Sequence, residues 1–86
     1  MPYVDKESRQ RYNHLTTAID ALPKIESKGD LEFLVFKLMK KFMVDRESRY
    51  SVLHDCVYAV QHCSDEFRRR YLDKREDKAL ETNGDI

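Results

Sequence analysis

The sequence predicts an all-α fold, a small three-helix bundle with a charged C-terminal extension, and three observations predict it. Its 86 residues include only two glycines and two prolines, too little turn chemistry for a multi-hairpin β fold. Apolar residues recur at intervals of three and four along three separate stretches, the period of one helix face. Leu, Ile, Val and Phe supply 21 residues while 16 basic residues balance 16 acidic ones, which is not the composition of a disordered chain. The length accommodates one core, so residues 1–86 read as a single helical domain. Its helices are expected over about 6–22, 28–44 and 46–72, followed by a tail over 73–86.

The first helix rests on Tyr12, Leu15, Ile19 and Leu22, spaced 3-4-3. Asp5 suits its N-cap, and Pro23 ends it because the residue before a proline is pushed out of the α region. The second opens on Ser27-Lys28-Gly29-Asp30, a Ser-x-x-Asp capping pattern ahead of an apolar run. From Leu31 to Val44 that helix is apolar around most of its circumference, with Lys37, Lys40 and Lys41 forming one narrow polar stripe. A helix of this kind needs cover on several sides, which two flanking helices scarcely supply and self-association supplies more fully. A homo-oligomer, a dimer or higher, is therefore expected.

The third helix carries Tyr50, Leu53, Val57, Val60, Ser64, Phe67 and Tyr71 at 3-4-3-4-3-4 spacing, widened by Cys56 and Cys63. A heptad-like seam interrupted by one serine suits packing within a bundle. Beyond Leu72 the pattern gives way to Asp73-Lys74-Arg75-Glu76-Asp77-Lys78, and Asn83-Gly84 is a helix stop. Asp5-Lys6-Glu7-Ser8-Arg9 is echoed forty positions on by Asp45-Arg46-Glu47-Ser48-Arg49. The apolar positions that follow do not superimpose, so the echo reads as two similar helix openings rather than a repeat.

Compartment follows from what the chain lacks. The opening Met1-Pro2-Tyr3-Val4-Asp5 has no signal-peptide pattern, and the run from Leu31 to Val44 is too short and too basic to span a bilayer. Cys56 and Cys63 lie about 10 Å apart along one helix, too far for a disulfide between them. Reduced thiols, a cytoplasmic location and no membrane partner are expected.

No catalytic constellation is present. His54-Asp55 matches the doublet of His-Asp phosphohydrolases, but only His14 and His62 remain to complete a metal shell. Neither Cys-x-x-Cys nor His-x-x-x-His occurs, so Cys56 and Cys63 read as buried core thiols. The expectation is no enzyme, no metal and no cofactor.

Binding chemistry is better represented. Arg68, Arg69, Arg70 and Tyr71 combine guanidinium forks with an aromatic ring, the residue types that anchor a partner surface. Opposing that reading, Asp65/Arg69 and Glu66/Arg70 are favourable i,i+4 pairs, and residues 65–81 hold six acids against six bases. Glu76, Asp77 and Lys78 form a second candidate set. Lys37, Lys40 and Lys41 have no acidic residue nearby on their helix beyond Glu32. Together with the arginines they could form an anionic-ligand site for a nucleotide or nucleic acid, at a subunit interface, if both groups faced the same side.

Gly29-Asp30-Leu31-Glu32-Phe33, Glu66-Phe67-Arg68-Arg69-Arg70 and the ending Glu76-Asp77-Lys78-Ala79-Leu80-Glu81-Thr82-Asn83-Gly84-Asp85-Ile86 resemble a family of small proteins of tailed bacteriophages and bacterial genomes. The likeness covers roughly residues 28–86. Its pattern often has a proline near position 74, where this chain has Lys74, which implies a bend near Leu72 to Lys74. The family brings no established activity. It implies a phage or prophage setting, and a non-enzymatic protein that engages a host protein, for instance as an antagonist of host defence.

Overall fold

The computed structural model describes residues 4–86; Met1-Pro2-Tyr3, part of the stretch read above for a signal peptide, lies outside the described residues. Every regular element among the described residues is helical, and there are three helices: α1 over residues 6–21, α2 over Lys28–Met43 and α3 over residues 50–83. The all-α class and the three-helix order are those predicted.

Local chemistry sets the ends of α1 and α2. Asp5 caps α1 from an extended conformation, its carboxylate accepting from the Ser8 N–H at 2.8 Å. The helix tightens through a 3₁₀ turn at Gln10–Tyr12 and stops at Ala21, where Leu22 turns extended ahead of Pro23. Ser27 caps α2, its hydroxyl accepting from the Asp30 N–H at 3.1 Å.

The start of α3 departs from expectation. Val44 (φ −60, ψ 131) and Asp45 (φ 63) have the conformation of a type II turn, closed by the Arg46 N–H on the Met43 carbonyl at 3.1 Å. Such a turn needs a positive φ at its third position, which Asp tolerates better than most residues. Asp45 is thus committed to the turn, and the helix begins at Tyr50 rather than 46. The two echoing strings differ in structure, since only the Asp5 string opens a helix.

From Tyr50 the helix runs 34 residues, roughly 50 Å at 1.5 Å per residue, and the long dimension of the molecule is 51 Å. A π turn over Arg68–Leu72 interrupts the α geometry just ahead of the expected bend. The charged extension continues as helix over Asp73–Asn83 and ends at Gly84, whose φ of 86 suits glycine.

Packing centres on α2 and α3. The Cys56 thiol donates to the Met39 carbonyl at 3.6 Å, and Phe42 and Val52 line one cleft. Residue numbers therefore rise along α2 as they fall along α3, which makes the pair an antiparallel hairpin. Val35, Met39, Phe42 and Met43 of α2 and Val52 and Val60 of α3 are half-buried, on the sides of the two helices that carry the Met39–Cys56 contact.

This side of α3 takes Val60 and the flanking Cys56 from the expected seam and adds Val52. Leu53, Val57, Phe67 and Tyr71 are exposed, Val57 by 54% and Phe67 by 65%. Val57 lies about 100° around α3 from Cys56, whereas Phe67, only about 20° around, lies about 16 Å farther along the helix. Cys63, expected in the core, is also exposed, although it lies only about 20° around α3 from Cys56; the contacts with α2 are at Cys56 and Val52, nearer the turn. Tyr12, Leu15, Ile19 and Leu22 of α1 stay exposed as well, leaving Cys56 as the one buried side chain among the described residues. The radius of gyration is 16.7 Å, against about 12 Å for a compact chain of this length.

Candidate functional site

The most ordered surface feature is a row of four rings along α3. Tyr50, His54, Tyr58 and His62 follow one another at i,i+4, one turn apart. Tyr50 and His54 lie 4.4 Å apart between ring centroids, His54 and Tyr58 meet edge to face at 4.8 Å, and Tyr58 and His62 stack at 6.3 Å. At about 100° per residue these positions fall 120–240° around the helix from Cys56, so the row points away from α2. Tyr50 is 77% exposed. Sequence reading missed this row because it weighed tyrosines only as seam residues and histidines only as ligands; the i,i+4 alternation of Tyr and His was the available signal.

The row ends at a carboxylate that organises the arginines. His62 shares a shallow cleft with Asp65, Glu66 and Arg69. The Glu66 side chain is only 13% exposed and holds both Arg69 and Arg70, the latter from its Nε at 2.9 Å. The expected Glu66/Arg70 pair is therefore present, whereas Arg69 turns to Glu66 instead of Asp65. The π turn begins within this group and changes the angular step of the following side chains.

Glu66 also divides the predicted partner-binding set. Arg69 lies on the His62 side, while Arg70 shares a second cleft with Cys63, Phe67 and Tyr71. Tyr71 packs on Phe67 at 4.7 Å between centroids. Arg68 makes no ion pair with a described residue. Farther along, Lys78 lines a groove with Lys74 and Arg75, and Glu76 and Asp77 lie outside that groove.

The two basic regions do not meet within the chain. Lys40 lies about 100° and Lys37 and Lys41 about 160° around α2 from Met39, so the lysine stripe faces away from α3. The arginines lie about 20 Å along α3 from Cys56, the level at which Met39 crosses. At the hairpin turn, Arg46 bonds the Phe42 carbonyl and places its guanidinium 4.1 Å from the centre of the Phe42 ring. Its neighbour Arg49 pairs with Glu47.

His54 is flanked by two tyrosine rings, and among the described residues no group of three or more His, Cys, Asp or Glu side chains is placed to hold a metal ion. No helix among the described residues is long and apolar enough to cross a membrane. The arrangement offers aromatic faces, ring nitrogens and one guanidinium–carboxylate cluster on an open surface, which is chemistry for contact.

The sequence model of one family, the Domain of unknown function (DUF6899), matches residues 1–86. No curated protein and no solved structure matches the chain.

Proposed function

The chain belongs to the DUF6899 family, and from that premise we propose that it is a non-enzymatic binding protein that engages another protein. The observation that carries this reading is the Tyr50–His54–Tyr58–His62 row, exposed except at half-buried His54, which ends beside Arg69. Tyrosine offers a large apolar face with a polar tip, and Tyr and Arg are enriched where binding energy concentrates. The four rings brace one another along one helix, so little side-chain freedom remains to be lost when a partner docks. The resemblance of the C-terminal string to phage proteins supports a host protein as that partner, in the host cytoplasm, with antagonism of a defence protein as one form.

Affinity capture from bacterial lysate with the wild-type chain and a Tyr58→Ala/Arg69→Ala variant tests the proposal. Loss of two anchors should weaken a captured partner by about 30-fold or more. Equal capture by both proteins, or capture of nothing by the wild type, counts against it.

The basic groove of Lys74, Arg75 and Lys78 favours a second reading. In it the chain binds a nucleotide-type ligand or nucleic acid, and a second copy brings Lys37, Lys40 and Lys41 near the arginines. This reading expects salt-sensitive binding and a thermal shift with nucleotides. Unchanged melting across a nucleotide panel removes it.

A further inference from the structure

We infer that the face of the α2–α3 hairpin carrying Phe33, Phe36, Leu53, Val57 and Phe67 is an interface with a second copy of this chain, two hairpins closing into a four-helix bundle. Geometry assembles this face from both helices. Taking Met39 and Cys56 as the facing residues, Phe36 and Phe33 lie about 60° and 120° around α2, and Leu53 and Val57 about 60° and 100° around α3. Because the helices are antiparallel, equal rotations from the contact line turn to the same side of the hairpin. Phe33 and Phe36 are each 63% exposed there, beside the exposed heptad seam.

Surface area states how much cover is missing. A folded monomer of 10.3 kDa is expected to expose about 5,400 Å². This chain exposes 8350 Å², an excess of about 3,000 Å² over that expectation. A standard interface takes about 800 Å² from each partner, and obligate homodimers bury 2,000–5,000 Å² or more in total. Folding buries less than half of the roughly 14,900 Å² of the unfolded chain, where a small domain buries about 60%.

The size of that deficit selects the occupant. A partner that completes the core is needed whenever the chain is made, and another copy is the partner supplied one for one with it. A 3-4 stripe presented by one hairpin is also self-complementary about a two-fold axis, as an isologous interface requires. Tyr58, the ring substituted in the capture experiment, lies about 100° around α3 from Val57, whereas Tyr50 lies within about 20° of Val57 and borders both surfaces. Substitutions at Val57 and at Tyr58 therefore let the two readings fail separately.

Light scattering or sedimentation at micromolar concentration tests the interface. The wild type is expected at twice the 10.3 kDa chain mass, and Phe36→Glu and Val57→Glu should each weaken self-association at least about a hundredfold. Leu34→Glu, on the opposite flank of α2, and Tyr58→Glu should leave the dimer intact. If the glutamate variants unfold, the wild type decides: a melting temperature that rises with protein concentration supports the interface, and one independent of concentration overturns it. A monomeric wild type, a mass other than that of a dimer, or dimers that survive both Phe36→Glu and Val57→Glu also overturn it.

Discussion

Cys56 and Met39 form the hinge of the whole packing arrangement: the thiol of one donates to the main-chain carbonyl of the other at 3.6 Å. This contact joins α2 to α3 at the one buried side chain among the described residues, while Cys63, two turns along, is exposed. Thiol reagents should therefore modify Cys63 well before Cys56 in the native protein. Cys56→Ala should lower stability by about 1 kcal/mol, read from urea unfolding; equal labelling rates would contradict the assignment.

Ser27 accepts from the Asp30 N–H and so satisfies one of the free donors at the start of α2. Ser27→Ala should cost about 1 kcal/mol, and Ser27→Asp should recover most of it. Chemical denaturation of the three proteins checks the order.

Asp5 titrates below the usual aspartate range, chiefly because its carboxylate accepts from the Ser8 backbone N–H, with the Ser8 hydroxyl adding to the effect. A depressed carboxyl pKa stabilises the fold above the unfolded-state value, and that contribution is lost as pH falls through the folded-state value. Acidification should fray the N-terminal turn of α1 first. Ser8→Ala should raise the Asp5 pKa only part of the way, since the backbone donor remains; carboxyl NMR titration reads both effects.

Asp45 holds a φ of 63 in the turn between α2 and α3. Asp45→Gly or Asp45→Asn should be neutral or stabilising by up to about 1 kcal/mol. Asp45→Val should destabilise by more than about 1 kcal/mol, because a β-branched residue resists this conformation. Thermal unfolding of the three variants gives the comparison.

Glu66 is the acid that Arg69 and Arg70 share. Glu66→Gln should remove the one negative charge that the two guanidinium groups share and raise the salt concentration needed to elute the protein from an immobilised polyanion. Unchanged elution would show that the arginines are neutralised by other groups.

Much of the fold was legible in the sequence because it is governed by neighbours within one turn. Asp5, Ser27, Pro23 and Gly84 act through local hydrogen bonds and backbone preference, and each stands where its residue type indicates. The start of α3 was misread for a related reason. Asp45 can cap a helix or occupy a positive-φ turn, and the path of the chain out of α2 selects the turn. Of the candidate sites, the Glu66/Arg70 pair followed from i,i+4 spacing. The split of Arg69 from Arg70 and Tyr71 did not, because the π turn and the choice between Asp65 and Glu66 arise from side-chain packing.

The sequence alone determined that the chain is all-α, where its first two helices begin and end, and that its charge balance is uneven, with α2 locally basic and residues 65–81 neutral by close pairing. Periodicity also supplied an apolar seam on α3 through Leu53, Val57, Val60 and Phe67, widened by Cys56 and Cys63. Only the tertiary structure decided which part of it meets α2. Periodicity records that a face is apolar, whereas the identity of its neighbour depends on the length and conformation of the connector and on which side chains interlock. The turn at Val44–Asp45 sets α2 against Cys56 and leaves Leu53, Val57 and Phe67 exposed.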